Sequence, residues 1–322
     1  MTTLAILTNA FYPATHWQEV LARECPHLKI IAVNTDSDQE LAQFKHSADL
    51  NSIDHALVWC PPSGLLAALP NLKMVFSIAT GVDHILKDPL LPAHLPIVRM
   101  VDPRQQQTMA EMVLLSVLHC HRRMPQYQQN QQNALWDAHP PRYTPDFSVG
   151  LLGLGPMAMV AAARLKDFGF QLHGWSRQPK QLDGITCWHG ADGLLSLLAR
   201  CDYTVVLLPQ TPQTQNLLGK TQLMACKQGA YLINLARGGL VVEQDLWHAL
   251  DHGPLAGAWL DVFHHEPLPA THGFWQHPKI TITPHVAARL IPETAALVVA
   301  ENLKRLEQGL PPIGLFDRSI GY

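Results

Sequence analysis

Residues 148–159 read SVGLLGLGPMAM. Ser148–Leu152 has the length and apolar character of a buried parallel strand. A glycine turn follows, and Pro156 opens an apolar stretch suited to a helix, since proline is favoured at the first helical position. Gly153, Gly155 and Ala158 match G-x-G-x-x-G/A, with alanine in the third place. The first glycine serves the tight turn, and the second lets the backbone approach a pyrophosphate. A small third residue lets helix and strand pack closely. A helix that starts there offers its unpaired N–H groups and the positive end of its dipole to phosphates. A second strand candidate, Gln171–Trp175, lies where a βαβ unit needs it. The stretch is therefore the expected phosphate-binding turn of a nucleotide domain.

Working outward, short apolar runs alternate with amphipathic stretches, the pattern of parallel sheets covered by helices. Before the glycine turn the expected strands are Leu4–Thr8, Lys29–Val33, Ala56–Trp59, Met74–Ile78 and Ile97–Arg99, followed by a long helix from Gln105 to Met124. From Ser148 onward they are Ser148–Leu152, Gln171–Trp175, Tyr203–Leu208, Ala230–Asn234, Gly257–Leu260 and Thr281–Thr283, six strands that complete one doubly wound domain. A last helix spans Ile291 to Gln308. Residues 125–147, PQYQQNQQNALWDAHPPRYTPDF, keep no apolar period and read as a linker or extended arm. The length of 322 residues suits two domains. The expected class is α/β with two doubly wound parallel sheets.

The charge balance of 23 basic against 26 acidic residues leaves no basic excess to neutralise phosphates, so nucleic acid is not an expected partner. Val149–Ala163, the longest apolar stretch, is broken by glycines and Pro156 and falls short of the roughly 20 residues that span a bilayer. The start, MTTLAILTNAFYP, lacks the basic region of a signal peptide. Six cysteines without CxxC spacing fit reduced thiols in the cytoplasm. His264, His265 and Glu266 are adjacent, but nothing completes a ligand set, and no metal is expected.

Cofactor choice is read about 20 residues after the glycine turn, where NAD-binding domains place a carboxylate for the ribose 2′-OH. Here the strand ends Trp175-Ser176-Arg177, with Lys180 close behind. Serine and arginine accept a 2′-phosphate that a carboxylate would repel. NADPH is thus the expected cofactor, with NADH weaker.

Four further motifs follow in order: Leu208-Pro-Gln-Thr-Pro-Gln-Thr214, Asn234-Leu-Ala-Arg237-Gly-Gly, Asp261-Val-Phe-His-His-Glu266-Pro, and Thr283-Pro-His285-Val-Ala. Together they resemble the D-2-hydroxyacid dehydrogenases over nearly the whole chain, most of all their glyoxylate/hydroxypyruvate reductase branch. Val58-Trp59-Cys-Pro-Pro, Gly81-Val-Asp83 and the ending Asp317-Arg-Ser-Ile-Gly-Tyr322 add to the likeness. The segment Asp102–Glu111 departs from the family pattern, reading Gln107-Thr-Met-Ala-Glu111.

The resemblance implies a discontinuous, flavodoxin-like substrate domain, 1–104 with 287–322, and an NADP-binding Rossmann domain over 105–286, with the active site in the cleft between them. It implies a homodimer in which an arm reaches across, and Trp136 is a candidate anchor. It carries catalytic roles onto Arg237, Glu266 and His285. Cofactor contacts fall on Gly153, Gly155, Pro156, Met157, Ser176, Arg177, Lys180, Leu208, Pro209, Thr214, Leu235, Ala236, Asp261 and His285. Substrate contacts fall on Thr80, Gly81, Val82 and Arg237, and Trp59 is expected to narrow the pocket.

The residue types suit the chemistry. Reducing a 2-keto acid needs a cation for the carboxylate, and guanidinium holds carboxylate with paired bonds. It needs an acid for the forming alkoxide, and histidine titrates near neutral pH. Glu266 can orient the imidazole. The expected reaction is reduction of glyoxylate or hydroxypyruvate. The alternatives are an NAD-linked dehydrogenase of another 2-keto acid and an NAD(H)-sensing, co-repressor-type binding protein.

Overall fold

The computed structural model describes residues 2–318, so the motif ending at Tyr322 lies outside the described residues from Ser319 onward. In chain order the elements are β1 (Thr3–Thr8), α1 (Ala14–Glu24), β2 (Lys29–Asn34), α2 (Asp38–Lys45), β3 (His55–Val58), β4 (Met74–Ser77), α3 (Asp83–Leu86), β5 (Ile97–Val98) and α4 (Pro103–His121). There follow α5 (Met124–Gln132), β6 (Ser148–Leu152), α6 (Pro156–Asp167), β7 (Gln171–Ser176), β8 (Thr186–His189), α7 (Gly190–Leu198), β9 (Tyr203–Val206) and α8 (Lys220–Met224). The remainder are β10 (Ala230–Asn234), α9 (Glu243–His252), β11 (Leu255–Leu260), β12 (Ile280–Ile282) and α10 (Pro292–Glu307). The chain forms two compact units, one drawn from Met1–Gln105 and Leu290–Tyr322, the other from Gln106–Arg289.

The first unit holds a five-stranded sheet in the order β2-β1-β3-β4-β5, with every pair parallel. This is the flavodoxin-like order, whose direction reverses between β1 and β3. Both faces are covered. Leu4 and Ile6 of β1 join Trp17 and Leu21 of α1 and Val299 and Leu303 of α10 on one side. Ala5 and Leu7 join Phe44 of α2, Leu65 and Leu66 on the other. A strand buried on both faces cannot alternate apolar with polar, and β1 is accordingly buried at every position.

The second unit holds a seven-stranded, all-parallel sheet in the order β12-β11-β10-β9-β6-β7-β8. This is the Rossmann order with one added strand, and it reverses between β6 and β9. Val149 and Leu151 of β6 face α6 and α4 through Ala161, Leu165, Val113 and Val117. Leu152 faces α7 and α9 through Leu197, Leu198 and Leu246. Leu165 is fully buried, and a leucine so placed contributes roughly 1.5–3 kcal/mol. Alanines at 158, 161 and 162 bring α6 close to the sheet. Among the described residues no helix is long and apolar enough to cross a membrane.

The α/β reading holds, with two corrections. The second sheet has seven strands rather than six. The additional one, β8, reads TCWH, and it stands half-exposed at the sheet edge beside β7. The segment 125–147 is not extended throughout, because its first part continues as α5. Glutamine is a good helix former, Pro125 stands in the first turn, and Gln126 donates to Asn130 one turn on at 3.1 Å. The part beyond α5 is irregular apart from a 3-10 turn at Thr144–Asp146, and in it Trp136 is 97% exposed.

Candidate active site

In open α/β sheets, ligands bind beyond the carboxyl ends of the strands where the strand order reverses. In the second unit five successive loops leave that edge, after β6, β9, β10, β11 and β12. They carry Gly153–Met157, Leu208–Thr214, Leu235–Arg237, Asp261–Glu266 and Thr283–His285.

The glycine turn has the features a pyrophosphate requires. Gly153 has φ +104°, and a side chain there would also meet the Leu207 carbonyl at 2.9 Å, so the β6 and β9 loops lie backbone against backbone. Gly155 has open space where a side chain would stand. It caps α6, and no side chain bonds that helix end. Pro156 has no N–H to give, so the first free donors of that end come from Met157 onward, in a position suited to an anion. At the end of β7 there is no carboxylate. The Ser176 hydroxyl donates to the Gln178 carbonyl at 2.8 Å, Arg177 is exposed, and the Lys180 ammonium folds back to donate to the Leu154 carbonyl at 3.1 Å. Lys180 thus puts a positive charge on the glycine turn itself. The turn and its surroundings fit a nicotinamide dinucleotide.

The β9 loop is closed by Thr214, whose hydroxyl donates to the Pro209 carbonyl at 2.7 Å and accepts from the Thr211 N–H at 2.8 Å. After β10, the Asn234 side chain bonds both ends of the next turn, accepting from Ala236 N–H at 3.2 Å and donating to the Arg237 carbonyl at 3.0 Å. The Arg237 guanidinium donates to the Ala236 carbonyl at 2.7 Å. A side chain at Gly238 would run into the backbone of Phe263 and His264. Glycine therefore lets the Arg237 turn press against the loop that carries Glu266.

His285 lies 19 residues beyond Glu266 in sequence, yet its Nδ1 is 2.6 Å from Glu266 Oε2. The other carboxylate oxygen accepts from the Phe263 N–H at 2.9 Å. Burial pushes the Glu266 carboxyl up. The bonds from His285 and Phe263, with the charges of His285 and Arg237, outweigh it and hold the group below the ordinary carboxylate range. Glu266 is thus ionised and accepts only, so the proton in this bond sits on His285 Nδ1 and leaves Nε2 for a substrate. The imidazole is 41% exposed.

Asp261 builds the turn beneath His285. Its carboxylate is buried and accepts from Thr283 Oγ1 at 2.6 Å, Val286 N–H at 3.0 Å and Ala287 N–H at 2.9 Å. Burial pushes its carboxyl up, against the pull of these bonds and of the His285 charge. His285 itself has φ +53°, and its N–H donates to the Asp261 carbonyl at 2.8 Å.

In the first unit the loops after β1, β3 and β4 leave the corresponding edge. Trp59, just past β3, packs edge-on to Tyr12 with centroids 5.3 Å apart and stacks with Phe11 at 6.3 Å. After β4, Thr80 Oγ1 donates to Gln105 Oε1 at 2.7 Å, and Gly81 and Val82 lead into α3. Ser77 and His84, which no motif marks, underlie these loops; the signal available in sequence is a histidine directly after Gly81-Val82-Asp83.

A family model described as "D-isomer specific 2-hydroxyacid dehydrogenase, NAD binding domain" matches residues 114–287. The chain belongs to that family. Among curated relatives of this oxidoreductase family, "Glyoxylate/hydroxypyruvate reductase A" of Yersinia enterocolitica is 39% identical, covering 98% of this chain and 99% of its own. The protein of the same name from Serratia proteamaculans is also 39% identical, with the same coverage. Among solved structures, a D-isomer specific 2-hydroxyacid dehydrogenase from Xanthobacter autotrophicus in complex with NADPH and MES superposes with TM-score 0.93 at 36% identity, covering 100% of both chains. An NADPH-dependent glyoxylate/hydroxypyruvate reductase from Sinorhizobium meliloti, in complex with NADP and sulfate, gives TM-score 0.91 at 32% identity, again over 100% of both.

Proposed function

We propose that this chain is a cytoplasmic, NADPH-dependent reductase of small 2-keto acids, converting glyoxylate to glycolate and hydroxypyruvate to D-glycerate. The observation that carries the reading is the 2.6 Å pair of His285 and Glu266, on a loop edge that also bears Arg237. On this reading unit 1–104 with 287–322 takes the substrate and 105–286 the cofactor. The cofactor, when bound, supplies the hydride that adds to C2. Arg237 holds the substrate carboxylate, helped by the backbone N–H groups of Gly81 and Val82 and the Thr80 loop. His285 donates its Nε2 proton to the oxygen on C2 and recovers one from water. Nδ1 keeps its proton directed at the Glu266 carboxylate, so the acid is the doubly protonated ring. Steady-state turnover of a keto-acid panel with NADPH and NADH tests the reading. Failure to reduce any 2-keto acid would refute it.

Cofactor preference follows from the end of β7. Arg177 and Lys180 can each give a charge-assisted bond to a 2′-phosphate, contributing roughly 1.5–3 kcal/mol. One such bond corresponds to a preference of about tenfold or more. The expected kcat/KM therefore favours NADPH over NADH by at least about tenfold, and Ser176→Asp with Arg177→Ala reverses much of it. Equal efficiency in the wild-type enzyme would overturn this assignment.

Pocket size follows from Trp59. In Trp59→Ala the preference for glyoxylate over phenylpyruvate is expected to weaken, as read by the ratio of their kcat/KM values. An unchanged ratio would remove Trp59 from the pocket.

The assembly proposed is a homodimer joined through the arm. Leu135, Trp136 and Tyr143 are 56%, 97% and 70% exposed, and exposed aromatics of this kind mark protein contacts. Light scattering at micromolar concentration is expected to give the dimer mass, with Trp136→Ala shifting it toward monomer. A wild-type monomer would rule this out.

A further inference from the structure

We propose that His84 is a positioning residue: through Ser77 it ties together the two loops that meet the substrate in the first unit, fixing both the Gly81–Val82 N–H groups and the Trp59 wall. The proposal rests on the functional reading above.

β3 and β4 are neighbours in the sheet, and the loop after each is joined to the other by one buried chain of bonds. His84 and Ser77 are 6% and 1% exposed. The Cys60 N–H donates to His84 Nδ1 at 3.1 Å. An N–H only donates, so Nδ1 carries a lone pair. His84 Nε2 lies 3.0 Å from Ser77 Oγ. The same hydroxyl donates to the Gly81 carbonyl at 3.3 Å and accepts from the Ala79 N–H at 3.0 Å. A serine hydroxyl has one proton and two lone pairs. Its proton is on Gly81 and one lone pair on Ala79, so the remaining lone pair accepts from His84 Nε2–H. Every role in the chain is thereby fixed, with the neutral ring protonated at Nε2.

The consequence is mechanical. Cys60 stands in the left-handed region, with φ +45°, so the turn after Trp59 is held in a conformation that a free loop would leave. The His84 bond to its N–H is one restraint on that turn. The His84 ring also lies 4.7 Å from the Trp59 ring. Removing the chain frees the Trp59 turn on one side and the Ala79–Val82 loop on the other, without touching the glycine turn, Glu266 or His285 in the second unit.

Two variants and one measurement on the wild-type protein test this. Ser77→Ala deletes the hub and only one oxygen. His84→Asn keeps an acceptor for Cys60 but is too short for Ser77. Each is expected to raise KM for glyoxylate about tenfold, the worth of one well-made bond. The kcat should change little, selectivity for glyoxylate over phenylpyruvate should relax, and NADPH affinity should hold, while the thermal midpoint falls by a few degrees in a protein that stays folded. In 15N-histidine-labelled wild-type protein, NMR should show neutral His84 as the Nε2–H tautomer. Unchanged KM and selectivity in folded variants would overturn the proposal. So would a fall in kcat at constant KM, or an Nδ1–H tautomer. Absence of keto-acid turnover by the wild type would count against the functional reading instead, and the tautomer, read without substrate, would still decide the network.

Discussion

His285→Gln is expected to lower kcat for glyoxylate reduction by about 10²–10⁴-fold, the usual worth of a general acid, while NADPH binding survives. Glutamine retains a polar end that can reach Glu266, but it cannot give up a proton. The backbone of the turn does not depend on the ring, because the His285 N–H and the Asp261 carboxylate hold it. Fluorescence titration with NADPH should therefore match the wild type. A variant that keeps near wild-type kcat would end the assignment of His285 as the acid.

Arg237→Ala is expected to lower kcat/KM by about 10²–10³-fold, because truncating one partner of a charged pair costs roughly 2–5 kcal/mol. Loss of affinity and loss of rate should both appear, because the proposed role of the residue is to hold the carboxylate beside the reacting carbon. Arg237→Lys should recover little, since a point charge does not reproduce the planar fork. A second effect has a definite sign. The Arg237 charge is one of the influences that lower Glu266. Without it Glu266 takes up a proton at higher pH, so residual activity should fail earlier as the solution is acidified. A pH–rate profile whose acid limb does not move would show that Arg237 and Glu266 are not coupled.

The sheets were legible because their strands are buried on both faces. Val149–Leu152 and Ala230–Ile233 carry no charged or strongly polar residue, and each is bounded by its turn. The missed elements lack that pattern. β8 is an edge strand, half-exposed along TCWH, so little apolar sequence is needed to hold it. α5 is a polar helix in which only Asn130 is buried, and a period-based reading finds no stripe there. At the site, motif order brought Arg237, Glu266 and His285 to attention, but sequence contains no distances. The bonds that organise their surroundings are made largely to main chain. Asp261 reaches the N–H groups of Val286 and Ala287, and Asn234 ties the Arg237 turn. Side chains that satisfy backbone leave no pairwise signature in a single sequence, and the same holds for Ser77 and His84.

The contact at Gly238 also bears on how this enzyme could be redesigned. Any side chain there must displace the main chain of Phe263 and His264. Such a variant would separate the guanidinium from the acid's partner before it altered what the pocket accepts. Position 238 is thus a dead end for a substrate-range library, whatever residue is sampled. Phe11 behaves in the opposite way. It is 44% exposed and stacks on Trp59, outside the strands, so a change in its size falls on the loop and not on the sheet below. On the function proposed above, variation at Trp59 and at the Phe11 and Tyr12 rings packed on it would explore new keto acids while the proton-transfer apparatus is inherited unchanged.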